Sequence, residues 1–111
     1  MFKKIKRVLY RSIENREISY KKLKEIIKLD KTTILLDVRS RQEYKEGHLA
    51  NALNIPLFDL EKQIVQSKLP DKNKTIIIYC VSGYRSRKAK EILEEMGYQK
   101  VYNLKNGLDG I

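Results

Sequence analysis

The chain has little of several features that mark particular protein classes: its 111 residues include one cysteine, one histidine and two prolines. It contains no internal repeat and no apolar run close to the roughly 20 residues that a membrane-spanning helix needs. A single cysteine excludes an internal disulfide, so the Cys80 thiol is free, paired between chains, or used in chemistry. The N-terminus is basic but lacks the apolar stretch of a signal peptide, and we therefore expect a cytoplasmic protein.

The length and composition are typical of one small globular domain. The chain is 41% hydrophobic and 34% charged, and 111 residues suffice to bury one core between a sheet and its helices. The net charge of +10 results from 24 Lys and Arg against 14 Asp and Glu, with much of the excess before residue 32. Such a surface could attract RNA or an acidic protein, but we favour an ordinary solvated surface.

Three short apolar segments predict β-strands. Residues 33–38 (TILLDV) and 75–79 (TIIIY) are continuous runs rich in β-branched residues, and residues 98–103 offer a third strand. Continuous apolar runs of this length are typical of strands that are buried on both faces, which usually belong to a parallel sheet.

Two helices are predicted, one before the first of these strands and one between the second and the third. Ser19 is a suitable N-cap for a helix whose residues Leu23, Ile26 and Ile27 share one face. Apolar residues recur at helical spacing from Arg85 to Met96, and Gly97 follows where a left-handed residue commonly ends a helix. The alternation of strands and helices predicts an α/β fold with a small parallel sheet covered by helices on both faces.

Cys80 is predicted to lie at the edge of the sheet where ligands bind. It directly follows the TIIIY strand, and open parallel sheets bind ligands at the carboxyl ends of their strands. The next residues turn into a helix around Gly83, so that backbone N–H groups and the helix N-terminus can surround an anion. Arg85 can add a guanidinium for an oxyanion.

A reactive Cys80 requires a lowered thiol pKa. An ordinary thiol is only about 3% thiolate at pH 7, and a shift of two units requires about 2.7 kcal/mol in favour of the anion. A helix N-terminus supplies about 0.3–1 kcal/mol, at best about 2, so the loop amides and Arg85 must supply the rest. The simpler alternative is a small buried hydrophobic residue at a strand end. The neighbouring Gly83 and Arg85 favour the reactive interpretation.

Three segments together resemble the single-domain rhodaneses, which are sulfurtransferases. The resemblance extends from about residue 18 to residue 107, and the segments occur in the family's order. They are Leu36-Asp37-Val38-Arg39 with Glu43 and Tyr44, then Gly47-His48-Leu49 with Ala52, Asn54, Ile55 and Pro56, and finally CVSGYRS from Cys80 to Ser86. The resemblance implies a rhodanese-like domain over residues 17–111, preceded by a basic segment of residues 1–16.

The resemblance also implies a chemistry. Cys80 would be the catalytic residue of a thiosulfate sulfurtransferase, accepting sulfane sulfur from thiosulfate or a polysulfide as a persulfide. A small thiol or a protein cysteine would then accept the sulfur, because the chain has no second cysteine. No metal, organic cofactor or membrane is implied, and we do not expect nucleic acid as a partner. The persulfide would be held by the backbone amides of Val81, Ser82, Gly83, Tyr84 and Arg85.

Two other functions are compatible with the sequence. Phosphatases and arsenate reductases of similar fold have one more residue between cysteine and arginine than the four found here, and the shorter loop favours a single sulfur atom over a tetrahedral oxyanion. A non-catalytic module that binds RNA or an acidic protein through its basic surface is the second alternative. The intact Cys80 loop argues against it.

The remaining residues of the three segments are interpreted as structural. Asp37 and Arg39 are expected to form an ion pair or a hydrogen-bonded turn, and His48 a hydrogen-bonded part of the framework. Asn51 stands where the family commonly has glycine, and asparagine tolerates the same left-handed geometry. The family's C-terminal tryptophan is absent after Gly107, so one wall of the site is expected to be open.

Overall fold

The structure is a computed structural model that describes residues 14–66, 69 and 71–111. Of the predicted basic segment 1–16, residues 1–13 lie outside this part of the chain. The elements, in chain order, are β1 (Glu17–Ile18), α1 (Tyr20–Leu29), β2 (Ile34–Asp37), α2 (Arg41–Glu46), β3 (Leu53–Asn54), α3 (Leu60–Val65), β4 (Thr75–Tyr79), α4 (Tyr84–Glu95) and β5 (Lys100–Leu104). Short 3₁₀ turns cover Glu14–Arg16, Leu57–Asp59 and Gly107–Gly110.

Within the described ranges the strands form one parallel sheet in the order β1-β5-β4-β2-β3. The three predicted strands correspond to β2, β4 and β5. The bounds of β4 agree with the sequence, whereas β5 begins and ends later than residues 98–103. The two-residue strands β1 and β3 were not predicted, because two residues are too short to show an alternation of side chains.

The sheet is covered on both faces, which confirms the predicted α/β architecture. Every residue of β4 is buried, and its side chains alternate between two apolar clusters. Ile76 and Ile78 pack with residues of α3 and α4, whereas Ile77 packs with Leu23 and Ile26 of α1. The middle strand is therefore the shared core of both layers.

The predicted helix ends are also confirmed. The Ser19 hydroxyl accepts a hydrogen bond from the Lys22 N–H at 3.1 Å and caps α1. Helix α4 begins one residue before Arg85, and Gly97 takes a left-handed φ of +98° after its end. Asn51 is left-handed as well, with φ of +65°, as expected for its place in the second segment.

This topology places Cys80 beside the end of a neighbouring strand. Cys80 directly follows Tyr79, the last residue of β4, and Tyr79 is in register with Asp37, the last residue of β2. The residues after β5 come to the same edge, because the amides of Leu108 and Asp109 donate to backbone carbonyls of the Cys80 loop. The Cys80 loop therefore lies at the edge of the sheet where β2, β4 and β5 end.

Candidate active site

The Cys80 thiol is enclosed by its own loop. The residue is 1% exposed, and Sγ accepts a hydrogen bond from the Gly83 N–H at 3.1 Å. Gly83 has a φ of +101°, which favours glycine, and a Cβ there would lie 3.3 Å from the Asn106 backbone nitrogen. The loop thus curls over the sulfur because residue 83 has no side chain.

Ser86 is a further contact of the thiol that the sequence analysis did not select. Its hydroxyl oxygen lies 3.4 Å from Cys80 Sγ and 3.2 Å from the Gly83 carbonyl oxygen, and the residue is fully buried. A hydroxyl in the first turn of α4, facing back toward the strand end, could have suggested this role. Ser86 therefore closes the side of the site that faces the helix.

The hydrogen bonds to the Cys80 thiol together lower its pKa by more than burial raises it. Burial by itself raises the pKa of Cys80, and it is the largest single influence. The Ser86 side chain and the backbone N–H groups of Ser86, Gly83 and Ser82 oppose it, so the pKa of the Cys80 thiol is lowered overall. The sequence expectation of a loop that favours the thiolate agrees in direction with this geometry.

The Arg85 guanidinium does not face the sulfur as a free group. Its two terminal nitrogens donate to the two carboxylate oxygens of Glu43 at 2.7 and 3.0 Å. Hydrogen bonds from Arg85, opposed by burial and assisted by Ser40, lower the pKa of Glu43 to about 2. The expectation that this side chain awaits an oxyanion therefore overlooked a carboxylate 42 residues away.

The residues after β5 form the floor of the Cys80 loop. The Leu108 N–H donates to the Cys80 carbonyl at 3.0 Å, and the Asp109 N–H donates to the Val81 carbonyl at 2.9 Å. A Cβ on Gly107 would lie 2.4 Å from the Cys80 carbonyl oxygen, closer than real Cβ atoms approach. Gly107 thus allows the C-terminal turn to contact the loop directly.

The outer part of the loop is open. Ser82 is exposed, Val81 is partly buried, and 62% of Tyr84 is accessible to solvent. The Lys88 ammonium lies 5.8 Å from the centre of the Tyr84 ring. The side chains of these loop residues point to the surroundings, whereas the amides of Ser82 and Gly83 act on the sulfur.

Asp37 and Arg39 form the structural ion pair that the sequence predicted. Both are buried, and Arg39 Nη2 lies 2.7 Å from Asp37 Oδ2 and 2.6 Å from the Gly47 carbonyl oxygen. Hydrogen bonding to Asp37, partly opposed by burial, raises the pKa of Arg39. The pair fixes the turn after β2 rather than facing a ligand.

His48 is hydrogen-bonded, as expected. Its Nδ1 lies 2.8 Å from the Tyr44 carbonyl oxygen, and the two rings stack with their centres 3.6 Å apart. His48 is thus part of the framework between α2 and β3.

The arrangement suits nucleophilic chemistry by a thiolate. No group of three or more potential metal ligands occurs among the described residues. None of the helices in residues 14–66 and 71–111 has the length and apolar character needed to cross a membrane. What the site offers is a buried sulfur, amide donors and a hydroxyl.

The chain is similar to known proteins over most of its length. The model of the rhodanese-like domain matches residues 19–111. Thiosulfate sulfurtransferase PspE of Escherichia coli is 46% identical over 68 residues, which cover 61% of this chain and 64% of that protein. Thiosulfate sulfurtransferase GlpE of Coxiella burnetii is 32% identical over 94 residues, which cover 85% of this chain and 84% of that protein.

Other similar proteins differ more in length or sequence. A tRNA uridine(34) hydroxylase of Buchnera aphidicola is 37% identical over 71% of this chain, but the match covers only 26% of that protein. The human single-domain sulfurtransferase TSTD1 superimposes with a TM-score of 0.72 at 26% identity, covering 83% of this chain and 90% of that one. With the family model matching nearly all of the described residues and the Cys80 loop in place, the chain belongs to the rhodanese-like domain family.

Proposed function

We propose that this chain is a sulfurtransferase that carries sulfane sulfur as a persulfide on Cys80. The observation that carries the proposal is the bond from the Gly83 N–H to Sγ at 3.1 Å, in a loop that lowers the thiol pKa. Relatives named thiosulfate sulfurtransferase support it, although this chain spans 64% of one and 84% of another. The tRNA uridine(34) hydroxylase relatives are several times longer and support the domain type only.

With thiosulfate as donor, the first step is a displacement at sulfur. The Cys80 thiolate attacks the outer sulfur of thiosulfate, a new S–S bond forms, and the bond to the sulfonate sulfur breaks. Sulfite leaves with that electron pair, and the terminal sulfur of the Cys80 persulfide carries the negative charge. A polysulfide donor reacts in the same way and leaves as a chain shorter by one sulfur.

The loop is suited to hold the charge of the persulfide. The donors in this proposal are the backbone amides of Val81, Ser82, Gly83, Tyr84 and Arg85. The amides of Gly83 and Ser82 already act on the sulfur, and those of Tyr84 and Arg85 begin α4, where the first N–H groups have no partner within the helix. They are fixed before the reaction, so little reorganisation accompanies charge formation. An external thiolate then attacks the outer sulfur and releases the Cys80 thiolate.

The acceptor is a small thiol or the cysteine of another protein. The chain has no second cysteine that could resolve the persulfide. The same fact fits a reducing compartment such as the cytoplasm, where an unpaired thiol stays reduced. The cytoplasmic site of action is part of this proposal.

The test is a mass measurement on the full chain. Reduced wild type and Cys80→Ser are incubated with thiosulfate or polysulfide, their intact masses are recorded, and cyanide is then added. The wild type is expected to gain one sulfur atom and to lose it as thiocyanate, whereas the variant gains none. A wild type that gains no sulfur from either donor contradicts the proposal and favours a non-catalytic binding module. Because Cys80 is the sole cysteine, the added mass has one possible site among thiols.

A further inference from the structure

Glu43 holds the Arg85 side chain in a fixed position beside the active-site loop. The pair is bidentate, and 37% and 31% of the Arg85 and Glu43 side chains are exposed. Glu43 is itself anchored: its Oε1 accepts the Ser40 N–H at 3.0 Å, and its own N–H donates to the Ser40 hydroxyl at 3.1 Å. This capping box at the start of α2 prevents the carboxylate from moving freely with the arginine.

The Arg85 charge lies within electrostatic range of the thiol but is not bonded to it. The hydrogen bond to Glu43 is the main cause of the raised pKa of Arg85, opposed by burial, and the charges of Glu43 and Cys80 contribute further. Sγ accepts a hydrogen bond from the Gly83 N–H and lies 3.4 Å from the Ser86 hydroxyl oxygen, and the backbone N–H groups of Ser82 and Ser86 also act on it. The guanidinium is thus near the loop, with both terminal nitrogens bonded to another group.

We propose that Glu43 is a specificity-determining residue, which keeps the Arg85 guanidinium out of the Cys80 loop and so weakens the binding of tetrahedral dianions there. The effect on donor choice rests on the proposed sulfur transfer, whereas the binding of a tetrahedral dianion can be measured without that reaction.

The physical reason is competition between carboxylate and oxyanion for one guanidinium. An arginine binds sulfate or phosphate best through two parallel N–H donors, and Glu43 already accepts from both terminal nitrogens. An incoming dianion must displace Glu43 or bind beside its negative charge. A persulfide sulfur needs only the loop amides, so it is unaffected.

The consequence concerns the choice of sulfur donor. Thiosulfate carries a sulfonate end with the shape and charge of a tetrahedral oxyanion, whereas a polysulfide has no oxyanion group. Glu43 therefore shifts the preference of the site toward donors without a sulfonate. Release of Arg85 should reverse that preference.

The test compares Glu43→Gln with the wild type. Glutamine retains the side-chain oxygen that a capping box uses, so α2 remains capped while the charge of the pair is lost. Inert sodium sulfate is the probe, and its binding is measured as protection of Cys80 from iodoacetamide at ionic strength held constant with sodium chloride. We expect sulfate to protect Glu43→Gln at a concentration about tenfold lower than wild type, the size of one charge-assisted hydrogen bond.

The matched control is Glu46→Gln. Glu46 lies on the same helix, is exposed and accepts from Gln42 at 3.0 Å, so the change removes the same charge without touching Arg85. If Glu46→Gln tightens sulfate binding as much as Glu43→Gln, net charge explains the effect and the inference is wrong. Folding of each variant is checked by circular dichroism and urea denaturation.

A double-mutant cycle assigns the effect to Arg85. Arg85→Leu alone leaves the Glu43 charge uncompensated and should weaken sulfate protection, whereas Glu43→Gln combined with Arg85→Leu removes both charges of the pair and should lose the tenfold gain of Glu43→Gln over wild type. Retention of that gain in the double variant overturns the inference.

The donor preference gives a second measurement. For Glu43→Gln, the ratio of kcat/KM for thiosulfate to that for polysulfide should rise about tenfold, and an unchanged ratio contradicts the proposed effect on donor choice. If the wild type transfers no sulfur, the proposed function fails while the sulfate measurements still decide the role of Glu43.

Discussion

Removing the Ser86 hydroxyl should raise the pKa of the Cys80 thiol. The hydroxyl lies between two acceptors, Cys80 Sγ at 3.4 Å and the Gly83 carbonyl oxygen at 3.2 Å, and it has one hydrogen to donate. With a neutral thiol, that hydrogen goes to Gly83. When the thiolate forms, the hydrogen can turn to the sulfur, so the hydroxyl stabilises the anion more than the neutral form.

The size of the effect follows from the difference between two hydrogen bonds. A bond to a charged acceptor contributes about 1.5–3 kcal/mol and a neutral one about 0.5–1.5, so the thiolate gains about 1 kcal/mol from the exchange. Since about 1.36 kcal/mol corresponds to a factor of ten in an equilibrium constant, Ser86→Ala should raise the pKa of Cys80 and lower its acid dissociation constant about fivefold. At a pH below the wild-type pKa, about fivefold less thiolate is then present.

The assay is the rate of alkylation of Cys80 by iodoacetamide as a function of pH, because only the thiolate reacts appreciably. Ser86→Ala should move the midpoint of this profile upward and leave the plateau at high pH nearly unchanged. Ser19→Ala is the control: it removes the cap of α1, at a cost of about 1 kcal/mol in stability, without contact with the thiol. A Ser86→Ala profile that coincides with the wild type would refute the reasoning.

Two further predictions concern stability. Gly107→Ala should lower the free energy of unfolding by about 3–4 kcal/mol, because its left-handed φ costs about 1–2 and the Cβ displaces two backbone hydrogen bonds of about 1 each. Gly97 is also left-handed, but a Cβ there would lie 3.5 Å from the Lys72 Cδ, an ordinary contact. Gly97→Ala should therefore lower the free energy of unfolding only by the cost of the left-handed φ, and equal losses for the two variants in urea denaturation would contradict the argument. The lowered pKa of Glu43, about 2 against 4.5, should make wild type more stable than Glu43→Gln above about pH 4.5, with the advantage lost as the pH falls toward 2. After allowance for solvent screening, the wild type should have a free energy of unfolding about 1 kcal/mol larger than that of Glu43→Gln at neutral pH. Urea denaturation at several pH values measures this difference, and a difference that does not change with pH would show that the charge of Glu43 is not its source.

The sequence predicted the parts of the fold that depend on continuous local patterns. The apolar run of β4, the cap at Ser19 and the glycine after α4 each produce their structure from neighbouring residues, so each is visible in a short window. The position of Cys80 between a strand end and a helix start was predictable for the same reason, because the strand, the glycine and the helix follow one another directly. Strand β5 was misplaced by two residues at its start, since Tyr98 is apolar but precedes the strand.

The missed features depend on contacts between distant parts of the chain. Strands β1 and β3 exist because longer strands pair with them, and their own two residues hold no periodic pattern. Gly107 is needed because the Cys80 carbonyl approaches it, a contact that no local pattern reveals. Such interactions require the sheet order, which sequence reasoning did not supply.

Two arginines at the same edge of the sheet illustrate why residue type alone could not define the site. Arg39 and Arg85 each follow a strand end, and each forms a bidentate pair with a carboxylate. The partner of Arg39 is two residues away, so its structural role was readable from the sequence, whereas the partner of Arg85 belongs to another helix. The capping box of Ser40 and Glu43 is a local pattern, but its carboxylate also restrains a residue of the active-site loop. In the proposal made above, the preference of the loop for one kind of donor thus depends on a helix cap that precedes the cysteine by about 40 residues.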